Sequence, residues 1–318
     1  MKKSSFLTVS MSPTLQKTLV FSALVPDTVN RTGEYRLDVA GKGLNVCRVL
    51  TQLGKEACHL TQLGGVLRPL YLELCAEDKL KLEWVESNSP IRLCYTLVDL
   101  GQTQAGGKKT VTELVEEPER VGEGTEQRLL EKFSLLLHEH SSLIISGTKA
   151  AGFSDTLIPE MVGQAKAEKR RLILDIRGND LLSSLPLRPE IIKPNLVEFI
   201  STFAPEMFFQ NNVANIDNVE EKVVKEKVKK ICAELYDEYR CALVLTRGSD
   251  SVWYAEKGEL AEYAFEGFEP LNSIGSGDAF TAGLAAALEE GASLRKAVAE
   301  GARCGALNAA LLKPGVIF

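Results

Sequence analysis

Asn272-Ser273-Ile274-Gly275-Ser276-Gly277-Asp278 runs directly into Ala279-Phe280-Thr281-Ala282-Gly283-Leu284-Ala285-Ala286-Ala287-Leu288. The second part reads as a small-residue helix that starts at or just after Gly277 and ends near Gly291. Glycines 275 and 277 let the backbone approach an anion closely, and the first helical turn leaves N–H donors without partners. Asp278 lies in that turn, where the helix dipole favours its charge. Amides that hold a transferring group, beside a carboxylate that accepts the proton of an attacking hydroxyl, suit phosphoryl transfer. Taken alone, the same residues read equally well as an ordinary N-terminal cap with a glycine-rich entry.

A second glycine-rich helix entry stands near the other end of the chain, Ala40-Gly41-Lys42-Gly43-Leu44-Asn45-Val46. Lys42 supplies mobile positive charge, and Asn45, one turn in, can point its amide at the same ligand. This suits a sugar hydroxyl or a phosphate at the helix start; a solvated lysine on a plain helix end is the simpler alternative. Other phosphate loops are excluded. Gly41-Lys42-Gly43 is followed by Leu44, so no GxxxxGK[ST] exists there, and Phe280 stands where GxGxxG needs its last glycine.

Between these motifs, short apolar runs alternate with helical patterns. Phe6–Val9, Cys58–Leu63, Leu143–Ile145, Leu172–Ile176 and Ala242–Thr246 read as strands, and the later ones are apolar enough to be buried on both faces. Leu44–Leu53 carries the stripe Val46, Val49, Leu50, Leu53; a second helix carries Val224, Val228, Ile231, Leu235. The alternation predicts a three-layer α/β/α sandwich with a mostly parallel central sheet. Residues 17–39 and 91–117 break the rhythm with β-like runs, the latter interrupted by Gly101 and Gly106-Gly107. They are expected to form a small antiparallel lid built from two excursions of one domain spanning 1–318.

Composition agrees with such a fold. The chain is 45% hydrophobic and 25% charged, with a net charge of −6, which disfavours a nucleic-acid or anionic-membrane surface without excluding a local basic pocket. Seven cysteines form no CxxC pair and read as buried thiols of a reducing compartment, so the expected location is cytoplasmic. Met1–Ser5 makes a poor signal peptide, and no apolar run is long enough to span a membrane. His138-Glu139-His140 has the wrong spacing for a zinc helix and reads as a solvated helix end; His59 reads as a core or sheet-edge histidine.

The two glycine motifs at this separation resemble the PfkB (ribokinase-like) sugar kinases. They look most like the 1-phosphofructokinase and tagatose-6-phosphate kinase branch, where Gly-Gly-Lys-Gly-x-Asn-Val opens the first helix. Lys193-Pro194-Asn195-Leu196-Val197-Glu198, Thr246-Arg247-Gly248 and Ser146-Gly147-Thr148 match further family segments in order, so the resemblance covers essentially the whole chain. It implies a ribokinase-like fold and an ATP-dependent sugar kinase that uses Mg²⁺. On that basis Asp278 is the expected general base, with the backbone of Gly275, Ser276 and Gly277 holding the transferred phosphoryl group. Lys193, Asn195, Thr246, Gly248 and Asn308 are expected on the ATP side, and Asn195 with Glu198 would orient Mg²⁺ through water. Gln16, Gly41, Lys42, Asn45, Arg92 and Lys149 are expected around the acceptor, with Lys42 and Arg92 gripping a phosphate already on the sugar.

The acceptor end departs from the branch. Ser12-Pro13-Thr14-Leu15-Gln16 puts a glutamine where the branch has a sugar-binding aspartate, and Ala40 replaces the first glycine of the helix entry. Ser146-Gly147-Thr148-Lys149-Ala150 loses a proline and gains Lys149, a third phosphate contact or a solvated side chain, and Ser251 stands for a nucleotide-side glycine. The resemblance thus implies transfer of the ATP γ-phosphoryl group to a hydroxyl of a ketohexose phosphate such as fructose 1-phosphate or tagatose 6-phosphate. A kinase for an unphosphorylated sugar or nucleoside, or a silent metabolite-binding relative, are the rival readings. A homodimer through the lid is permitted by apolar residues expected to be exposed there, such as Val20 and Phe21.

Overall fold

Strands and helices alternate along the chain in the computed structural model, which describes residues 5–101, 109–210, 219–265 and 270–318. Gly106, Gly107 and the first four residues therefore lie outside the described residues. The strands are β1 Ser5–Val9, β2 Thr14–Phe21, β3 Glu34–Ala40, β4 Glu56–Leu63, β5 Leu82–Glu86, β6 Arg92–Asp99, β7 Thr110–Val115, β8 Ser142–Ser146, β9 Arg171–Asp175, β10 Ile191–Ile192, β11 Ala242–Leu245, β12 Val252–Glu256 and β13 Glu259–Tyr263. The helices are α1 Lys42–Gln52, α2 Arg68–Glu77, α3 Thr125–Glu139, α4 Leu157–Ala167, α5 Gly178–Ser184, α6 Leu196–Phe203, α7 Glu206–Gln210, α8 Glu221–Tyr239, α9 Ser276–Glu289 and α10 Leu294–Ala309.

Nine strands form the main sheet in the order β13-β12-β11-β10-β9-β8-β1-β4-β5. From β11 to β5 every pairing is parallel, and β12 and β13 close one edge antiparallel. Alternate residues of each strand serve opposite layers. Leu143 and Ile145 of β8 pack with α3, α4 and α8, whereas Ile144 packs with α1, α9 and α10. Burial on both faces is the reason the strand sequences are continuously apolar rather than alternating. The small residues of α9 have a packing cause as well. A Cβ on Gly283 would stand 2.7 Å from the Glu300 carbonyl, and one on Gly301 2.9 Å from that of Phe280, so α9 and α10 meet backbone to backbone.

The two excursions form a second, four-stranded sheet in the order β3-β2-β6-β7. It is mixed, not antiparallel as expected: the outer pairs are antiparallel, but central β2 and β6 run parallel, Thr14 beside Arg92. Each excursion leaves the C-terminal end of a parallel strand, β1 or β5, and so sets out in the same direction. Leu15, Val39 and Ile91 pin this sheet to α1 and α2 through Leu44, Tyr71 and Cys75.

Val20 and Phe21 are buried, contrary to the expectation of an exposed apolar edge; Tyr35, Leu114 and Val115 are the large apolar residues that this sheet exposes. His140 is also buried, with Nδ1 on the Leu136 carbonyl at 2.7 Å, while His138 is exposed beside Glu168, so only half of that helix end is solvated. His59 lies in the core, and all seven cysteines are free and buried. Among the described residues no helix is long and apolar enough to cross a membrane.

Candidate active site

The parallel strands all deliver their C-terminal ends to one edge, where open α/β sheets form their clefts. Ser10 and Ser12 follow β1, Ser146 ends β8 and Gly147 follows it, Asp175 ends β9, and Lys193 and Asn195 follow β10. The N-termini of α1 and α9 point into the same cleft, of about 480 Å³, which the second sheet borders with Thr14, Gln16, Arg92 and Glu113. Motifs at opposite ends of the chain meet here: Asn45 Nδ2 donates to Asp278 Oδ2 at 2.8 Å.

The Gly275–Gly277 turn is held from behind. Gly275 has φ +83°, and a Cβ there would stand 2.6 Å from the Gly315 amide nitrogen, so both the turn and its packing exclude a side chain. The Ser276 amide bonds to the Ser273 carbonyl and the Ala279 amide to that of Gly275. The amides of Gly277 and Asp278, with no carbonyl ahead of them in the helix, are the donors left for an anion.

Charge at the base of this cleft is balanced between two carboxylates and two lysines. Asp278 is buried, and desolvation pushes its pKa up to about 7 against the pull of Lys42, the Asn45 hydrogen bond and Lys193; Asp175 pushes the same way as burial. Asp175 is buried too, but Lys193, Lys42 and the Thr281 hydroxyl outweigh desolvation and hold its carboxyl below the ordinary range. Lys193 Nζ lies 3.4 Å from Asp175, and Ser146 and Thr281 donate to its other oxygen. Lys42 donates to Glu198 at 3.2 Å; desolvation opposes its charge, yet Asp175, Glu198 and Asp278 together raise its pKa. One carboxylate is thus fixed as an anion while its neighbour sits near neutrality, the separation of roles that acid–base chemistry uses.

On the acceptor side, Gln16 is buried and donates Nε2 to Thr96 Oγ1 at 2.8 Å. Arg92 donates Nε to Thr14 Oγ1 at 2.8 Å and Nη1 to the Glu116 carbonyl at 3.3 Å, which aims the guanidinium along the cleft rim. Lys149 is not in the cleft. Its ammonium pairs with Asp180 and, at 3.0 Å, with Asp155, so its expected place as a third acceptor-phosphate contact is corrected to an ion pair outside the site.

A second cavity, of about 500 Å³, opens across the Gly275–Gly277 turn and shares Asn195, Thr246, Ser273 and Gly277 with the first. Val252, Phe265, Pro270, Phe280, Ala302 and Ala306 give it apolar walls, and Gly248 lines it as well. Asn308 does not line it. That side chain is fully buried, donating to the Ile274 carbonyl at 3.1 Å and accepting from the Gly315 amide at 2.8 Å; it braces the loop from behind. Lys193, expected on the nucleotide side, lines the first cavity.

Asn195 and Glu198 form a reciprocal capping box on α6, with Glu198 N on Asn195 Oδ1 at 2.8 Å and Asn195 N on Glu198 Oε2 at 3.0 Å. These hard oxygen donors face the junction of the two cavities, and each oxygen keeps a lone pair. Among the described residues no group of three or more His, Cys, Asp or Glu gathers as an all-protein metal cage.

Asp175, Arg48 and Glu113 were not singled out from the sequence. Asp175 had a signal, a lone charge closing the apolar run Leu172–Leu174, and so had Arg48, set among Val46, Val49 and Leu50. Glu113 had none, since only the register that sets it beside Thr96 turns it to the cleft.

The pfkB family carbohydrate kinase model matches residues 16–316. Among solved structures, phosphofructokinase-2 from Escherichia coli in complex with potassium superposes with a TM-score of 0.77 at 20% identity, covering 98% of this chain and 94% of that one. The same enzyme in complex with fructose-6-phosphate gives 0.75 at 20% identity, covering 96% and 93%. A protein described as a possible 1-phosphofructokinase from Thermotoga maritima gives 0.79 at 17% identity, covering 95% and 91%. At these identities the superpositions speak for the fold.

Proposed function

Because the chain belongs to the pfkB family of carbohydrate kinases and acts as an ATP-dependent sugar kinase, we propose that its acceptor is a ketohexose phosphate, such as fructose 1-phosphate or tagatose 6-phosphate. The observation that carries this reading is the placing of Arg92 and Lys42 in the same cleft as Asp278, two cations around a carboxylate near neutrality. Arg92 shares the cleft with Glu113, and a phosphate on the acceptor would add a second anion for its guanidinium to grip. Gln16 supports the same reading. With its amide nitrogen engaged on Thr96, its carbonyl oxygen accepts a sugar O–H, as a carboxylate in its place would.

The apolar cavity takes the adenine, and the triphosphate runs past Asn195 and Thr246 toward the Gly277 and Asp278 amides. There those amides and Lys42 stabilise charge on the transferred group. Asp278 accepts the proton of the attacking hydroxyl, with its carboxylate held by Asn45. The second sheet acts as a lid that covers the acceptor and excludes water as a competing nucleophile. Asn195 and Glu198 would hold Mg²⁺ through water, and the ion, when bound with the nucleotide, would supply positive charge to its phosphates. A homodimer through the second sheet would cover Tyr35 and Leu114 on the face away from the cleft, which sedimentation of the purified chain checks.

A panel of free sugars, sugar phosphates and nucleosides, scored by ADP release, tests the acceptor. Turnover is expected with a ketohexose phosphate. Turnover confined to unphosphorylated sugars or nucleosides overturns the acceptor, and binding without turnover of any acceptor overturns the kinase reading.

A further inference from the structure

Arg48 lies on α1, one turn beyond Asn45, and is 3% exposed. Its Nε donates to Asp78 Oδ2 at 3.0 Å, and its Nη1 to Asn45 Oδ1 at 2.9 Å and the Pro314 carbonyl at 3.2 Å. Its Nη2 donates to the Val39 carbonyl at 2.6 Å. We propose that Arg48 is a positioning residue for phosphoryl transfer: by holding Asn45 Oδ1, it fixes the amide orientation that aims the Asn45 N–H at Asp278.

The reason lies in donor and acceptor inventories. Turned by half a rotation, the Asn45 amide would set its NH₂ against a guanidinium N–H and its oxygen against the Asp278 carboxylate; both contacts repel. Arginine has no acceptor and keeps its proton, so it enforces one orientation at every working pH.

The C-terminal segment closes the clamp. Pro314 gives its carbonyl to Arg48, and a Cβ on Gly315 would stand 2.6 Å from Asn45 Cβ. Gly315 also reaches Asn308, which holds the Ile274 carbonyl, so the base and the anion-binding amides share one frame. The charged groups that face Asp278 are Lys42 from α1, Asp175 from β9 and Lys193 after β10. Arg48 reaches it through Asn45.

This inference rests on reading Asp278 as the base, and Arg48→Met tests it, since methionine keeps the apolar stem but donates nothing to Asn45; the same change in an Asn45→Ala background gives the effect of the lost charge alone. Two readouts are compared with the parent protein: titration of the Asp278 carboxyl by ¹³C NMR without substrates, and kcat against pH. Loss of the Asn45 donor is expected to move the Asp278 titration upward and lower kcat about tenfold, with KM for ATP within about twofold. A folded Arg48→Met protein whose titration moves no further than it does in the Asn45→Ala background overturns the proposal. Should that variant fail to fold, Arg48→Gln is compared with the same background; a larger upward move with Asn45 present supports the proposal, and an equal one overturns it. Turnover retained in Asp278→Asn would remove the base reading alone, because the titration still reports whether Arg48 orients Asn45.

Discussion

The two ends of the cleft are built in opposite ways. At the end proposed for phosphoryl transfer, the residues are contiguous: the Gly275–Asp278 turn carries both the amides and the carboxylate, and Asn308 and Gly315 brace it from behind. At the acceptor end, Gln16, Arg92 and Glu113 come from three strands of a separate sheet and meet only through its register. A turn whose backbone is over-determined holds one chemistry. A sheet surface that displays side chains can exchange them one at a time, and this is the end where Gln16 and Ala40 depart from the pattern the sequence resembles.

The largest test of that contrast is Asp278→Asn, expected to lower kcat by about 10²–10⁴-fold with ATP binding retained. In the parent protein the kcat/KM profile should fall below pH 7, because a carboxyl with pKa near 7 is protonated there and cannot accept. Stability should move the other way. A carboxyl whose folded pKa is raised stabilises the fold while protonated, and that contribution is lost as pH rises from the ordinary carboxylate range through about 7. The Asn variant should therefore melt above the parent at pH 8 and not at pH 4. Equal melting at both pH values would show that Asp278 is not a strained group.

A smaller, sharper effect is expected at the other end. Arg92→Ala should raise KM for a phosphorylated acceptor about 10–100-fold, the loss of a charge-assisted grip, with KM for ATP unchanged. Equal rises for both substrates would erase the division between the two ends. The smallest effect belongs to Lys149→Ala, outside the cleft: kinetics within about twofold and a stability loss of about 1 kcal/mol by thermal denaturation. A selective rise in acceptor KM there would return Lys149 to the site.

Legibility followed the same division. The strand–helix alternation and the glycine turns could be read because each depends on neighbours in sequence: apolar runs for strands buried on both faces, small residues for a close helix pair. Val20 and Phe21 were misplaced because their strand, β2, lies between β3 and β6, a position that depends on pairing with remote residues. Asn308 and Lys149 were misassigned for a related reason. A motif fixes where a residue stands along the chain, but its partners, Ile274 and Gly315 for one and Asp180 for the other, decide which way it faces.

By itself, then, the sequence determined the layered α/β fold, and it located the glycine turn at the start of α9 and the carboxylate beside it, since periodicity, glycine and helix-end chemistry are local. Only the tertiary structure decided that β2 and β6 run parallel and that Asp175 and Asp278 divide their charge states. It also tied Arg48, Asn45 and the C-terminal segment into one clamp on the base. Each of these depends on groups that are remote along the chain, and the desolvation and pairing that fix them exist only once the chain has packed.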